Sequence, residues 1–142
     1  MVWDQDVKLL VMLCQSESDT SNECTAYWEE QYQVSTKSKL HNIKVKQCAE
    51  TEKSQIPVGM IRRILTITDG NTERTVEHLQ IINWKDKKQP FEDTMPCLQF
   101  AVQRGLEIKK DPSNLICVHC SAGIGRTGTY IAILTMIESI NY

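Results

Sequence analysis

The chain has 142 residues with a formal net charge of −2, and 41% of its residues are hydrophobic. This length and apolar content suit a single domain with one core. The 16 Lys and Arg residues nearly balance the 18 Asp and Glu residues. That balance excludes the strongly basic field that binds nucleic acid or anionic membranes, so any anion site must be local.

No apolar run approaches the ~20 residues needed to cross a bilayer, so we expect no membrane insertion by this segment. The start MVWDQDVK also lacks the order of a signal peptide. The six cysteines stand in a chain larger than the small scaffolds that depend on disulfides, which favours mostly buried thiols in a reducing compartment. The expected location is cytoplasmic, either as a separate protein or as the cytoplasmic part of a larger membrane protein.

Strand patterns dominate the first part of the chain. Val7 to Leu13 is an apolar run of strand length, and the polar, serine-rich stretch from Cys14 to Asn22 is typical of a loop. Asp69-Gly70-Asn71 is a turn sequence between two further runs of strand character. β-branched residues or a period of two predict strands at Gln31–Val34, Ile43–Lys46, Ile61–Thr68 and Arg74–Ile82. These patterns indicate an antiparallel section.

After Pro90 the spacing of the apolar residues changes from that of a strand to that of a helix. Apolar residues spaced as one helix face, with lysines closing the last turn, occur at Met95, Leu98, Val102, Leu106, Lys109 and Lys110. Leu115 to Val118 predicts a fully apolar strand, Ala122 to Gly128 a glycine-rich loop, and Tyr130 to Ile140 a buried helix. The predicted fold class is α/β, with a mixed, partly antiparallel, twisted sheet flanked by helices.

The segment HCSAGIGRTG, from His119 to Gly128, joins the last predicted strand to the last predicted helix. Its small residues allow the loop to curl so that successive backbone N–H groups face one point, and the following helix adds the positive end of its dipole. This arrangement suits an anion the size of phosphate. The predicted phosphate-binding residues are Ser121, Ala122, Gly123, Ile124, Gly125 and Arg126.

Side chains of this segment supply the predicted chemistry. Arg126 offers a planar, permanently charged fork that suits two phosphoryl oxygens. The same positive environment can lower a cysteine pKa from about 8.5 to roughly 3.5–7.5, which would make Cys120 a thiolate nucleophile. Thr127 can donate its hydroxyl toward the sulfur and help it leave. His119 is predicted to be structural, because neighbouring residues on a strand point to opposite sides.

Two other kinds of site are less consistent with the segment. A nucleotide-binding P-loop requires Gly-Lys-Ser/Thr at the end of the glycine loop, and a zinc site requires a second ligand pair at a regular spacing. The sequence offers neither, so neither a metal nor an organic cofactor is expected.

HCSAGIGRTGT, from His119 to Thr129, resembles the signature of the classical protein tyrosine phosphatases. The runs MVWDQDVKLLVMLC, Cys24-Thr25-Ala26-Tyr27-Trp28 and Thr75-Val76-Glu77-His78-Leu79-Gln80 resemble further motifs of that family in the same order. The resemblance implies the family's fold and a phosphomonoesterase that acts on phosphotyrosine in proteins.

The resemblance also implies an acid loop. The family's Trp-Pro-Asp motif corresponds to Trp84-Lys85-Asp86, followed by Pro90 at the family's spacing. Asp86 would protonate the leaving phenolic oxygen and later accept a proton from water, with Trp84 in support. Lys87-Lys88-Gln89 replaces the family's His-Gly-Val, and these lysines are expected to favour the ionised carboxylate and to slow turnover.

The lysines of the acid loop have two interpretations. They form a solvated face without a role, or they attract an acidic phosphopeptide.

Two family elements, a tyrosine-bearing recognition loop before Met1 and a glutamine loop after Tyr142, have no counterpart in the sequence. Residues 1–142 are therefore expected to form part of a phosphatase catalytic domain.

Three functions follow from these residues. The first is a protein tyrosine phosphatase that forms a cysteinyl-phosphate intermediate, with phosphotyrosine proteins as partners. The second is a catalytically impaired pseudophosphatase that binds phosphotyrosine or a partner protein, which the altered acid loop favours. The third is redox regulation of the first, in which Cys120 is oxidised to sulfenic acid and rescued through the Ser121 backbone nitrogen or a nearby cysteine.

Overall fold

The computed structural model describes residues 1–17, 23–28, 31–36 and 39–140. Over these ranges the chain forms six strands, two α-helices and a short 3-10 turn at Lys53–Gln55. The strands are β1 (Val7–Met12), β2 (Gln31–Thr36), β3 (Lys39–Glu50), β4 (Met60–Thr68), β5 (Glu73–Ile81) and β6 (Leu115–His119). The helices are α1 (Met95–Lys109) and α2 (Gly125–Ile140). The predicted α/β class is confirmed.

The strands form one mixed sheet in the order β2-β3-β4-β5-β1-β6. Strands β2 to β5 pair antiparallel in sequence, whereas β1 lies between β5 and β6 and is parallel to both. Met12 is opposite His119, and the Leu13 N–H donates to the His119 carbonyl at 2.8 Å. Two parallel strands therefore end side by side, which brings the segments that follow them together.

The core lies between this sheet and the two helices. Leu9, Val11 and Met12 of β1 are fully buried. The Tyr130 hydroxyl of α2 donates to the Ala101 carbonyl of α1 at 2.9 Å. A Cβ at Gly105 would lie 2.8 Å from that hydroxyl, so the absence of a side chain there permits the close approach of the two helices.

One buried carboxylate links the sheet to α1. Glu77 of β5 accepts a hydrogen bond from Arg62 of β4 and another from Arg104 of α1, each at 2.8 Å. A buried carboxylate is tolerated only when its oxygens are paired, and here both oxygens are.

Two expectations about the C-terminal half were wrong. Helix α2 begins at Gly125, five residues before the predicted start, because the Gly128 N–H already donates to the Ile124 carbonyl at 2.9 Å. The helix is not buried throughout, since Ile131 is 47% exposed and Ile140 is 81% exposed. The predicted apolar strand at Leu115 to Val118 is confirmed as β6, which forms an edge of the described sheet and is half-buried, with Leu115 40% exposed.

The predicted loop from Cys14 to Asn22 is described up to residue 17, where Cys14 and Ser16 are buried, and residues 18–22 lie outside the described ranges. None of the helices in the described ranges combines the length and apolar character needed to cross a membrane.

Candidate active site

The segment that joins β6 to α2, from His119 to Gly128, forms the floor of the candidate site, and we call it the phosphate loop. Ser121 to Gly125 are exposed, whereas Cys120, Arg126 and Thr127 are buried. Gly123 adopts φ 71°, a left-handed conformation that glycine adopts without strain. The loop thus presents its backbone to solvent above a buried thiol.

Donors of the phosphate loop lie around the Cys120 sulfur. The Gly123 N–H donates to Sγ at 3.2 Å, whereas the buried Thr127 hydroxyl has no partner within hydrogen-bond geometry. Burial raises the pKa of the thiol, but the nearby Thr127 hydroxyl and the backbone N–H groups of Thr127, Gly123 and Ile124 lower it by a larger amount. The pKa of Cys120 therefore lies below the ordinary value, whereas burial raises the pKa of Cys14, Cys24, Cys97 and Cys117. Among these described cysteines, Cys120 has the thiol most easily ionised.

Arg126 lies in the first turn of α2, and three acceptors hold its guanidinium group. Its Nη1 donates to the Glu23 carboxylate at 2.9 Å and to the Trp84 carbonyl at 2.8 Å, and Nη2 donates to Asp86 at 3.3 Å. Two carboxylates are therefore paired with the guanidinium group that the sequence analysis predicted to bind phosphate. The Nε atom of Arg126 is buried without a hydrogen-bond partner.

Residues 84–90, which we call the acid loop, meet the phosphate loop through Arg126. Trp84 is buried, and its Nε1 donates to the Lys88 carbonyl at 3.0 Å. The Asp86 side chain is 53% exposed, and Lys87 adopts φ 56°, which is unusual for a residue with a side chain. Lys85, Lys87 and Lys88 are all exposed. The candidate acid thus lies on a solvent-accessible turn, 3.3 Å from the guanidinium group.

His119 contacts the backbone of the nucleophile. Its Nδ1 lies 3.1 Å from the Cys120 carbonyl, which can only accept, so Nδ1 carries the proton. The Tyr27 hydroxyl then donates to Nε2 at 2.7 Å, and the same hydroxyl lies 3.1 Å from Nε2 of His78. Burial lowers the pKa of both imidazoles, that of His78 to about 3, so both are neutral at physiological pH.

The hydrogen bonds that begin at His119 continue away from the site, through Tyr27 and His78, to the buried side chain of Arg63. Arg63 Nη1 lies 3.4 Å from Nδ1 of His78, so that nitrogen accepts and Nε2 donates to Tyr27. The direction of donation is thus Arg63 to His78, His78 to Tyr27, Tyr27 to His119 and His119 to the Cys120 carbonyl. His119 orients the start of the phosphate loop and is not placed beside the thiol as a base.

Sequence reasoning placed Cys120, Arg126, Thr127, Asp86 and Trp84 in one site, and the structure brings them together. It missed Glu23, Tyr27 and His78. Tyr27 and His78 lie in two of the runs that carry the family resemblance, so a signal for them was present. No sequence signal indicated Glu23, because its contact with Arg126 joins residues far apart in the chain.

Comparison with protein families gives a match over the whole sequence. The model of the protein-tyrosine phosphatase family covers residues 1–142. Tyrosine-protein phosphatase 2 of Dictyostelium discoideum is 32% identical over 139 residues, which are 96% of this chain and 34% of that protein. Human receptor-type tyrosine-protein phosphatase C is 32% identical over 143 residues, which are 99% of this chain and 10% of that protein.

A solved phosphatase structure has a similar fold over most of this chain. PTPN18 in complex with HER2 phosphopeptides is 25% identical, with a TM-score of 0.71 over 93% of this chain and 43% of that chain. The present chain therefore spans about a third of the Dictyostelium relative, a tenth of the human receptor-type relative and less than half of the solved phosphatase chain.

Proposed function

The chain belongs to the protein-tyrosine phosphatase family, and on that premise we propose that it hydrolyses phosphotyrosine in proteins through a cysteinyl-phosphate intermediate on Cys120. The observation that carries this proposal is the position of Sγ, which accepts the Gly123 N–H at 3.2 Å beneath an exposed glycine-rich loop. A thiol with a lowered pKa, surrounded by backbone donors at the start of a helix, is poised for attack on a bound phosphoryl group.

In the first step the Cys120 thiolate attacks phosphorus, a sulfur–phosphorus bond forms and the bond from phosphorus to the tyrosine oxygen breaks. Asp86 gives its proton to the leaving phenolic oxygen. In the second step a water attacks phosphorus, Asp86 takes a proton from that water, and the thiolate leaves with inorganic phosphate released. The backbone N–H groups of Ser121 to Gly125, of which that of Gly123 bonds to the sulfur before substrate binds, and the Arg126 guanidinium stabilise the equatorial oxygens in both steps.

Arg126 must change partners for this reaction. It now pairs with Glu23 and Asp86, so a phosphoryl dianion has to compete with two carboxylates for one guanidinium group. Release of Asp86 by the incoming dianion frees that carboxylate to take up a proton and to face the leaving group. Substrate binding and positioning of the acid are therefore coupled through Arg126.

The same ion pairs favour a second candidate function, a pseudophosphatase that binds phosphotyrosine without useful turnover. Asp86 would then stay paired with Arg126, and the exposed Lys85, Lys87 and Lys88 would hold an acidic phosphopeptide. The expectation of phosphopeptide recognition is supported by the PTPN18 neighbour, which is bound to HER2 phosphopeptides.

The deciding experiment measures phosphate release from a phosphotyrosine peptide and, after rapid denaturation, phosphate retained on the protein. We expect turnover by the wild-type chain, phosphate on Cys120 during turnover, and a loss of at least ~10³-fold in Cys120→Ser. The matched control is Cys117→Ser, which alters a half-buried thiol three residues away and should keep turnover.

Turnover that survives in Cys120→Ser would refute the covalent mechanism. A wild-type chain that is folded by circular dichroism and binds the peptide without releasing phosphate would establish the pseudophosphatase instead.

A further inference from the structure

Two thiols and an imidazole meet behind the phosphate loop, on residues that the proposed reaction does not use as reacting groups. The sulfur atoms of Cys14 and Cys24 and a ring nitrogen of His119 all lie within 4.8 Å of one another. We propose that these three side chains form a binding site for a thiophilic divalent cation of the Zn²⁺ type.

The spacing suits such an ion. Bond lengths of about 2.3 Å to sulfur and 2.0–2.1 Å to nitrogen place tetrahedral ligands roughly 3.5–3.8 Å apart, so a contraction of at most about 1.3 Å completes the site. Cysteine and histidine are also the ligand types that zinc prefers over the hard oxygen ligands of Mg²⁺ or Ca²⁺.

Two of the three ligands have positions set by the sheet. His119 ends β6 and Cys14 follows β1 by two residues, and the pairing of Met12 with His119 brings the two strand ends together. Cys24 is held next to them, because its carbonyl accepts the Glu17 N–H at 3.0 Å. Ordering these ligands therefore costs little conformational entropy on binding.

The His119 ring already presents the correct nitrogen. Since Nδ1 donates to the Cys120 carbonyl, Nε2 carries the lone pair, which accepts from the Tyr27 hydroxyl at 2.7 Å in the absence of a metal. An Nδ1–H bonded to a backbone carbonyl is the arrangement that metal-bound histidines adopt. The metal would replace the Tyr27 hydroxyl at Nε2. That hydroxyl keeps the His78 contact at 3.1 Å and lies 3.8 Å from the Met12 sulfur, so it is not left without partners.

Access and local charge also favour a cation. Cys24 and His119 line a cavity of about 480 Å³, which provides an entry path and leaves the fourth coordination position to water. Burial is the main cause that raises the pKa of both thiols, so the ion has to displace their protons. The Glu17 carboxylate, which accepts from the Ala26 N–H at 3.2 Å, lies close to Cys24, and its negative charge attracts a divalent ion. Glu23 and Arg126 are paired, so their opposite charges largely cancel at Cys14.

The test is a titration of the reduced full chain with Cd²⁺ under argon, followed by thiolate-to-metal charge-transfer absorbance in the ultraviolet. We expect the band to saturate at about one equivalent and to fall to about half or less in Cys14→Ser and in Cys24→Ser, because each substitution removes one of the two thiolates. Zn²⁺ should displace Cd²⁺ and raise the thermal unfolding midpoint of the wild-type chain.

Two control variants locate the site. Cys117→Ser changes a thiol that lines the same cavity outside the cluster, and Cys120→Ser removes the candidate nucleophile. Both should keep the band. The proposal is overturned if no band forms, if only Cys120→Ser abolishes it, or if Cys24→Ser leaves it unchanged. Cys24 is half-buried, so Cys24→Ser decides the matter if Cys14→Ser does not fold. The readout does not depend on turnover, so it is independent of the proposed phosphatase activity.

Discussion

The phosphate loop and the acid loop contribute to one site but are built in different ways. The phosphate loop is fixed at both ends, by β6 and by the first turn of α2, and its contact with the Cys120 sulfur at Gly123 comes from the backbone. The acid loop is held by side chains, chiefly the buried Trp84 indole and the contacts of Trp84 and Asp86 with Arg126.

This difference predicts which functions can be lost separately. Backbone donors remain when single side chains are changed, so activation of the thiol should tolerate most substitutions outside Cys120 and Thr127. The acid loop depends on one guanidinium group and an exposed turn, so proton donation should be lost easily. Arg126 is the exception that belongs to both loops.

The largest effect after loss of the nucleophile is expected at Arg126. Arg126→Lys keeps the charge but removes the planar fork and the bond to the Trp84 carbonyl, so kcat/KM for a phosphotyrosine peptide should fall by about 10²- to 10³-fold. Steady-state kinetics measures this. The same substitution at Arg104, which pairs with Glu77 and Glu107 away from the site, is the control and should change kcat/KM little. Equal effects at both positions would contradict a role for Arg126 in phosphate binding.

The next largest effect is expected in the acid loop. Asp86→Asn removes the transferable proton, so kcat/KM, which reports the first step and not hydrolysis of the shared intermediate, should fall by about 10²-fold for phosphotyrosine, whose phenol is a poor leaving group. The loss should be much smaller for 4-nitrophenyl phosphate, whose leaving group needs no proton. Asp93→Asn, at an exposed carboxylate just beyond the acid loop, is the matched control. A loss of the same size for both substrates would show that Asp86 is not the acid.

A third prediction concerns the thiol itself and uses pH. Because the pKa of Cys120 lies below its ordinary value, the rate of alkylation by iodoacetamide should reach half of its maximum at a lower pH than for a free cysteine. Thr127→Val removes the hydroxyl near the sulfur that lowers this pKa, so the half-maximal pH should rise and alkylation at neutral pH should slow.

The control for the thiol is Thr129→Val. The Thr129 hydroxyl donates to the Gly125 carbonyl at 3.0 Å and does not contact the sulfur, so the alkylation profile should stay in place. If both variants shift the profile equally, the shift reflects α2 as a whole and not the Thr127 hydroxyl.

The sequence predicted the sheet better than the helix that follows the phosphate loop. β-branched residues and period-two patterns located β4 and β5 to within one residue. In β4 the buried positions alternate with more exposed ones, whereas β5 is buried continuously from Val76 to Ile81. The start of α2 was missed because glycines at 123, 125 and 128 indicate a loop, although the helical hydrogen bonds begin there. Its exposed Ile131 and Met136 could not be inferred, since an apolar sequence does not show which neighbours are present to cover it.

The residues of the candidate site also differ in how far the sequence predicted them. Cys120 and Arg126 follow from one continuous segment whose spacing has a physical reason, and Asp86 follows only from the family's motif. The contacts of Arg126 with Glu23, and of Cys14 with Cys24 and His119, join residues that are distant in the chain. No local pattern encodes such pairs, because they depend on how parallel strands end beside one another.

The smallest predicted effect tests the competition for Arg126. Glu23→Gln removes one of the two carboxylates that a phosphoryl group has to displace, so the affinity for an oxyanion such as tungstate should rise by about 2- to 10-fold. Isothermal titration calorimetry of the wild-type chain and the variant measures this change. Glu17→Gln is the control, because its side chain can still accept from the Ala26 N–H and lies outside the Arg126 ion pairs. Weaker binding in Glu23→Gln would mean that this carboxylate holds the guanidinium group in its phosphate-binding position, and the acid loop would then depend on Glu23 as well as on Arg126.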